Sequence, residues 1–436
     1  MNAEVRAIKT SAEQALVSAY ESARAVLPGK GAIAALREEA FKGFDAKGLP
    51  HRRVEEWKYT DLRALMRDAL PLAAPPDAGT KAKAKDAGKI FAGLNCRRLV
   101  FIDGAFMPEL SDLTPEPGLT VGSMADALAK NDALVAAYVG KVFETDDAAV
   151  ALNTALMSDG ALIHVAAGTV LARPIHLVFA SGETPSAAFI RSLIVVEKDA
   201  QAIIAESHES NVSQVNCALE MVIGDGAQVD YYKATQTRAL HVASLLLTVG
   251  AKAAFNTFAL NSDASLVRNQ CFVRFAGEGS TGGLRGVNLL RGKEHVDTTM
   301  LIEHAAGHCA SREQFKSVLD DQGHNVFQGK IVVKPHAQKT DTKMMTRALL
   351  LSDEAEADNK PELEIFADDV VCGHGATAGA LDPNLKFYLM SRGIDDKQAE
   401  ALLIQAFIGE TVEEIAHEGF REALMTAALA WLETRG

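Results

Sequence analysis

Ile223–Tyr232 reads IGDGAQVDYY: a β-branched run stops at Asp225-Gly226 and a second β-rich run begins directly after it. Glycine reaches left-handed backbone conformations without steric cost, and Asp tolerates turns, so the pair reads as a corner between two strands. The same signature recurs on both sides. VAAGTVLARPIHLVF (165–179), VEKDAQAIIAE (196–206) and TVGAKAAFNTF (248–258) each carry one turn residue between strand-like runs. The turn positions Gly168, Asp199, Gly226 and Gly250 lie 31, 27 and 24 residues apart (199−168, 226−199, 250−226). No helical period fills the intervals from about Ala161 to Val371. Recurrence on that scale suggests the coils of a β-solenoid rather than a sandwich, although a sandwich has turns as well. A solenoid has open ends whose unpaired backbone invites pairing, so each end must be capped or matched to another solenoid.

The last run of this region is DDVVCGHGATAG, Asp368–Gly379. Asp368 to Cys372 reads as a strand. If it continues through Gly373, Cys372 and His374 leave the same face. A thiolate beside an imidazole suits iron, zinc or copper. Gly373 and Gly375 are expected to leave that face bare, so that a ligand or another backbone can approach. Two donors do not close a metal site, which wants about four. Either other residues or a second chain complete it, or the pair is a packed Cys and a hydrogen-bonded His at the end of a sheet.

The flanks are helical. Ser11 with Gln14 is a candidate N-cap pair for a first helix, and a second spans about Ala32–Phe44. EEWKYTDLRAL (Glu55–Leu65) offers Trp57 and Tyr59 as anchors for a short helix. Residues 71–89 are Pro, Ala, Lys and Gly with little apolar bulk, a linker or mobile loop. Arg98–Phe106 holds an Asp103-Gly104 hairpin turn, and 123–157 returns to helix. At the C-terminus, Asp382-Pro383 opens a short helix, Asp395 with Gln398 caps one over Lys397–Ile408, and Thr411 with Glu414 reads as a capping box. The apolar stripe Val412 to Trp431 then either packs on the preceding helix or forms a docking face for a partner. The expected organisation is a mostly helical unit over 1–157, a β core over 158–380 and a helical unit over 381–436.

The chain has 436 residues, 48% of them hydrophobic, and a formal net charge of −13. That charge argues against a nucleic-acid surface. The five cysteines (96, 217, 271, 309, 372) form no C-x-x-C pair and fit free thiols in a reducing compartment, so cytoplasm is the expected location. No run is long and apolar enough for a membrane span or an export signal. There is no P-loop, since Gly329-Lys330 is followed by Ile331. One rival metal cluster is EHAAGHC, with Glu303, His304, His308 and Cys309, in which His304 and His308 share a face on either a helix or a strand.

LLLS (Leu349–Ser352), KPELEI (Lys360–Ile365), HGAT (His374–Thr377) and FYLMSRGI (Phe387–Ile394) together resemble the shared C-terminal segment of the SufB/SufD family of iron–sulfur cluster assembly proteins. Gly375, where SufB-type members carry Glu, and the N-terminal EEWKYTDLRAL place the resemblance on the SufD side. The resemblance implies a right-handed parallel β-helix core flanked by helical domains. It also implies a non-enzymatic scaffold that pairs with SufB, and it assigns the C-terminal helices to binding the SufC ATPase. By motif, His374 stands where the family places a histidine at the SufB interface. An iron or iron–sulfur cluster would form there transiently, with Cys372 as a further candidate ligand and none bound stably by this chain alone. A homodimer is possible when the chain is isolated; no nucleic acid or membrane is implied.

Two other readings of the residues stay open. One is a β-helix enzyme acting on polysaccharide, using carboxylates such as Asp297, Glu303, Asp320 and Asp321. The other is a purely structural dimer without a metal role.

Overall fold

The computed structural model describes residues 9–210 and 213–434. Its core is a flattened parallel β-solenoid of about seven turns. A hairpin of β1 (Arg97–Ile102) and β2 (Ala105–Phe106) and the strand β3 (Leu119–Ser123) start the two sheets. The chain then winds through β4 (Ala161–Val165) and β5 (Ile175–Ala180), β6 (Ala187–Val196) and β7 (Gln201–Ser210), β8 (Gln214–Ile223) and β9 (Gln228–Thr237). It continues through β10 (Leu240–Val249) and β11 (Ala254–Ser262), β12 (Leu266–Phe275) and β13 (Thr281–Leu290), β14 (His295–His304) and β15 (Ala310–Leu319). The last turns are β16 (His324–Val333) with β17 (Asp341–Leu350), and β18 (Glu356–Ile365) with β19 (Val371–Gly379). From β4 onward the even-numbered strands pair in parallel in one sheet, and from β5 onward the odd-numbered strands pair in the other. Asp103 (φ 49°) and Gly104 (φ 87°) form the hairpin turn read from the sequence.

One corner of each turn from β4–β5 to β16–β17 is built on a left-handed residue. These are Gly168 (φ 71°), Asp199 (57°), Gly226 (69°), Lys252 (54°), Gly279 (70°), His308 (59°) and Lys339 (63°). They stand 31, 27, 26, 27, 29 and 31 residues apart (199−168, 226−199, 252−226, 279−252, 308−279, 339−308). The left-handed residue donates its N–H to the corner of the next turn: Gly226 to the Ala251 carbonyl at 2.8 Å, Lys252 to that of Glu278 at 2.9 Å. Gly250 is therefore not the corner residue; Lys252 is. Gly250 is glycine for a different reason, since a Cβ there would stand 2.6 Å from Asp225 Oδ1 and 2.8 Å from the Asp225 nitrogen. Close approach, not positive φ, excludes a side chain at that position.

Helices cover the outer faces of both sheets. On the even-numbered side lie α1 (Ser11–Ala23), α2 (Ala32–Lys47), α3 (Leu62–Leu65), α5 (Met124–Lys130), α6 (Ala133–Tyr138) and α7 (Ala148–Leu156), while the short α4 (Ala78–Lys83) lies beside the end of β5 in the odd-numbered sheet. Leu16, Phe44, Trp57 and Leu152 pack on Ala187, Phe189 and Val242 of the even-numbered sheet. Buried polar groups fix this layer. Asn153 of α7 donates to the Ile190 and Asn216 carbonyls, both at 2.9 Å. Arg191 meets Glu220 at 3.0 Å with both side chains at most 1% exposed, and Glu220 also accepts the Gly140 N–H at 2.8 Å. A buried pair of this kind persists only when its remaining hydrogen bonds are filled. Arg268 stacks 3.8 Å over the Trp57 ring, whose Nε1 donates to Asp147 at 2.8 Å; Trp57 is thus the anchor expected of it.

On the odd-numbered side lie α8 (Pro383–Ser391), α9 (Asp396–Val412) and α10 (Glu418–Glu433). Ile404, Ile408, Phe420, Leu424, Ala428 and Trp431 bury against Tyr232, Phe258, Leu260, Val287 and Val318 of the sheet. The α10 stripe is therefore covered within this chain, by the sheet as well as by α9, and is not a free docking face.

Four local expectations shift. The first N-cap is Thr10 with Glu13 as its capping-box partner, one residue before Ser11; Glu13 is held there because its other oxygen accepts the buried Leu49 N–H at 2.9 Å. Residues 71–89 are not a bare linker: Asp77 caps α4. The Thr411–Glu414 box does not form, because α9 runs through a fully buried Thr411 to Val412. His417 caps α10 instead, accepting from the Phe420 N–H. Finally, the two helical stretches read over 123–157 resolve into three helices, α5 to α7.

The lumen between the sheets is apolar near the left-handed corner and polar toward the other. Ile194, Val196, Met221, Ile223, Leu247 and Val249 fill the first part. In the second, an amide ladder crosses successive turns: Lys233 Nζ to Asn269 at 3.1 Å, Asn269 to Asn261 at 3.2 Å, Asn261 to Asn288 at 2.8 Å and Asn288 to Asn325 at 2.7 Å. Asn269, Asn261 and Asn288 each donate and accept, so the buried amides satisfy one another from the Lys233 ammonium onward.

Candidate functional site at the last turn

The solenoid ends on β18 and β19, which among the described residues have neighbours on one side only. Parallel pairing sets Cys372 opposite Thr342 and His374 opposite Met344 of β17. Met344 faces the lumen, so Cys372 and His374 share the lumen-facing side of the terminal strand. The side chain of Cys372 is half-buried against the core, and His374 is exposed. The strand itself begins at Val371; Asp368 and Asp369 form a bend, with Asp369 ion-paired to Lys339 at the corner.

Gly373 and Gly375 do not bare the face that carries Cys372 and His374. Alternation turns them to the opposite side, where a Cβ on Gly375 would meet Met345 Cε at 2.6 Å. Burial, offset in part by the Thr342 backbone, pushes the Cys372 thiol above its ordinary pKa. It is therefore a thiol near neutrality until a metal ion or a cationic partner displaces the proton.

Beneath the pair runs a polar column that the sequence does not announce. The Ser311 and Thr342 hydroxyls lie 2.7 Å apart, His304 Nε2 is 3.0 Å from Ser311 Oγ, and Thr342 donates to Glu313 Oε2 at 3.5 Å. Glu313 is 1% exposed, its Oε1 has no partner, and burial pushes its carboxyl up to about 7. One donor direction satisfies the whole column: His304 to Ser311 to Thr342 to Glu313. Glu313 is hard to read from sequence because SREQF alternates as an outward-facing strand would. The one available signal is the coil period, which stacks Ser311 under Thr342, 31 residues on (342−311).

The rival cluster EHAAGHC does not assemble. His304 is buried and stacked on Phe275, with burial lowering it to about 4. His308 is the exposed left-handed corner residue, 3.8 Å from Glu278. Glu303 is paired with Arg274 and Lys334, and Cys309 is buried against Ser280. The carboxylates considered for sugar chemistry also separate. Asp297 is buried against Arg268, Glu303 lies near the left-handed corner, and Asp320 and Asp321 sit past the opposite end of β15. Strands of ten residues set the two corners roughly 30 Å apart, whereas a glycosidase pair spans at most about 9.5 Å.

A second polar group lies on the outer face of the even-numbered sheet. His295 and His324 meet Nδ1 to Nδ1 at 3.1 Å, and His324 Nε2 contacts Asp358 at 2.8 Å. Thr60 bridges His295 and the buried Asp297. Coil stacking brings these residues together from β14, β16 and β18.

Residues 178–407 match the family model described as SUF system FeS cluster assembly, SufBD core domain, and residues 10–177 match the SufBD protein N-terminal region. The iron–sulfur cluster assembly protein SufD of Escherichia coli is 33% identical over 87% of this chain and 88% of its own length. A SufBD family protein of Synechocystis is 32% identical over 94% of this chain and 91% of its own. SufD of Bacillus subtilis is 26% identical over 86% and 87%. Among the described residues no helix is long and apolar enough to cross a membrane. With both family models spanning nearly the whole sequence and the terminal turn carrying the HGAT segment on an edge strand, the chain belongs to the SufB/SufD family of iron–sulfur cluster assembly proteins.

Proposed function

We propose that this chain is a non-catalytic subunit of a cluster-assembly complex. It pairs through its last turn with a second solenoid of SufB type and carries a SufC-type ATPase against its C-terminal helices. Nascent iron or an iron–sulfur cluster is cargo at that junction, where His374 and Cys372 supply two donors and the partner supplies the rest. The single observation that carries this reading is the placement of His374, exposed on the lumen side of a strand whose outer edge has no neighbour. Val371 and Phe366 are 60% and 58% exposed beside it, apolar area that a matching solenoid end would remove from water. Mixed imidazole and thiol ligation holds iron less firmly than four thiolates, which suits a site that must release its product. The five cysteines are free thiols, as expected of a protein working in a reducing cytoplasm.

The expected ATPase contact is α8 rather than the covered α10. Phe387 is 73% exposed, Tyr388 56% and Leu385 53%, and the neighbouring α9 adds Leu402. His374→Ala is expected to leave folding and co-purification with both partners intact while lowering cluster yield in the assembled complex. A fully assembled mutant complex with normal cluster yield refutes the reading. Failure of the wild-type chain to co-purify with either a second solenoid or a P-loop ATPase refutes the partner assignment.

A further inference from the structure

Three potential metal donors face one another inside the lumen, on turns well before the terminal one. His208 ends β7, Cys217 is in β8 and His241 opens β10, and one ligand atom from each lies within 4.8 Å of the others. Cys217 Sγ and His241 Nε2 are 3.7 Å apart, and the His208 and His241 rings meet edge-on at 4.8 Å. An ion bound to three donors in a plane, with bonds of about 2.0–2.3 Å, spaces them about 3.6–3.8 Å apart. The Cys217–His241 pair already has that spacing.

The surroundings of the group leave room for an ion. His241 is 1% exposed and turns Nε2, not its unpartnered Nδ1, toward Cys217. A cavity of about 60 Å³ also opens beside the cluster, lined in part by Glu206, His208, Cys217, Tyr231, Lys233 and Cys271. The orienting shell is present as well. Glu206 Oε2 holds His208 Nε2 at 3.1 Å, and the Phe179 ring stacks on His208 at 4.7 Å. A carboxylate behind a ligating imidazole is the usual way a metal-binding ring is fixed.

We infer that His208, Cys217 and His241 form a buried His₂Cys site for one soft cation of low charge, with Cu⁺ the ion it fits. Two imidazoles and one thiolate are a copper-type donor set. Charge selects the oxidation state. Glu206 and Lys233 balance each other inside the lumen. Binding then follows Cys–SH + Cu⁺ → Cys–S–Cu + H⁺, with the proton passing to solvent and no oxidation or reduction. The buried charge is unchanged. A divalent ion in the same exchange leaves one uncompensated positive charge beside Lys233, which burial penalises. The site is separate from Cys372 and His374 and does not depend on the function proposed for them.

The test is Cu⁺ loading of the full chain against a chromophoric Cu⁺ chelator, once with folded protein and once with Cu⁺ present during refolding from urea. One equivalent should be retained, with X-ray absorption reporting one sulfur and two nitrogen neighbours. Cys217→Ser and His241→Ala should lose it, Cys372→Ser should keep it, and Glu206→Gln should weaken it by about 10–100-fold. Circular dichroism establishes that each variant is folded. Co²⁺ offered in place of Cu⁺ should give no thiolate-to-cobalt charge-transfer band. The inference fails if neither loading route retains stoichiometric Cu⁺, if folded Cys217→Ser retains it undiminished, or if Co²⁺ binds as tightly as Cu⁺.

Discussion

Glu313 makes the acid–base state of the terminal turn measurable. Its carboxyl is buried, one oxygen is unpartnered, and burial raises it from an ordinary 4.5 to about 7. The native state therefore holds this proton more tightly than the unfolded chain does. Below about pH 4.5 both states are protonated and the group costs nothing. As pH rises from there through 7 the folded state falls behind, and above 7 the loss is complete. The full loss is 2.5 pKa units (7 − 4.5) at about 1.36 kcal/mol each, or about 3 kcal/mol.

Glu313→Gln keeps the shape and the acceptor oxygen for Thr342 and removes the titration. Urea unfolding followed by far-ultraviolet circular dichroism at pH 5 and pH 8 gives the stability of each protein. Comparing variant with wild type at each pH cancels the other titrating groups. The variant should gain about 2.5 kcal/mol on wild type between pH 5 and pH 8, the unfolded carboxyl being already partly ionised at pH 5, with most of the gain appearing between pH 5 and 7. Parallel pH profiles for the two proteins, differing by less than about 1 kcal/mol over that range, would show that Glu313 is solvated or paired and that the column beneath Cys372 is not dry.

Other consequences follow from single contacts. Glu220→Ala strands the Arg191 guanidinium in the even-numbered sheet and should cost about 3–5 kcal/mol by urea denaturation, whereas Glu220→Leu with Arg191→Met should be near neutral; equal losses in both would deny that the isolated charge is the cause. Phe387→Ser should leave the stability of the isolated chain within about 0.5 kcal/mol yet abolish ATPase capture, and unchanged capture would remove α8 from the interface. In pulsed alkylation read by mass spectrometry, Cys372 should be modified before Cys96, whose thiol burial pushes up to about 11, and its rate should climb about tenfold per pH unit through the neutral range; earlier labelling of Cys96 or the buried Cys217 would contradict the packing around the last turn.

How much of this was legible depends on where a residue's environment is written. Corners are written locally. Gly168, Asp199 and Gly226 were readable because few residues accept a left-handed backbone, and Lys252 was missed because a lysine does not advertise that it has been forced there. Helix caps were readable to within a residue at Asp395 and Thr10, but not at Thr411, where a long-range contact with the sheet overrode a sound local signal. The terminal pair was visible through its segment, though the glycines were assigned to the wrong face.

The lumen was the part least visible, and the reason is geometric. Period-2 alternation reveals a strand's inner face only when its outer face meets water. Here helices cover the outer faces, so β6 is buried at all ten positions and its two sides read alike. With that contrast erased, Glu206, Lys233 and Glu313 look like solvent-facing residues although all three point inward. β18 and β19 escape this levelling most fully. They are exposed or half-exposed along nearly their whole length, and they hold Asp, Asn, Lys, Glu, Gly and Thr where the inner turns hold Val, Ile and Leu. A sheet end with that composition and no cap gains little from burying its own side chains. Its remaining means of stabilisation is a partner's backbone, so the same residues that make the last turn poor core make it suitable as an edge for another chain.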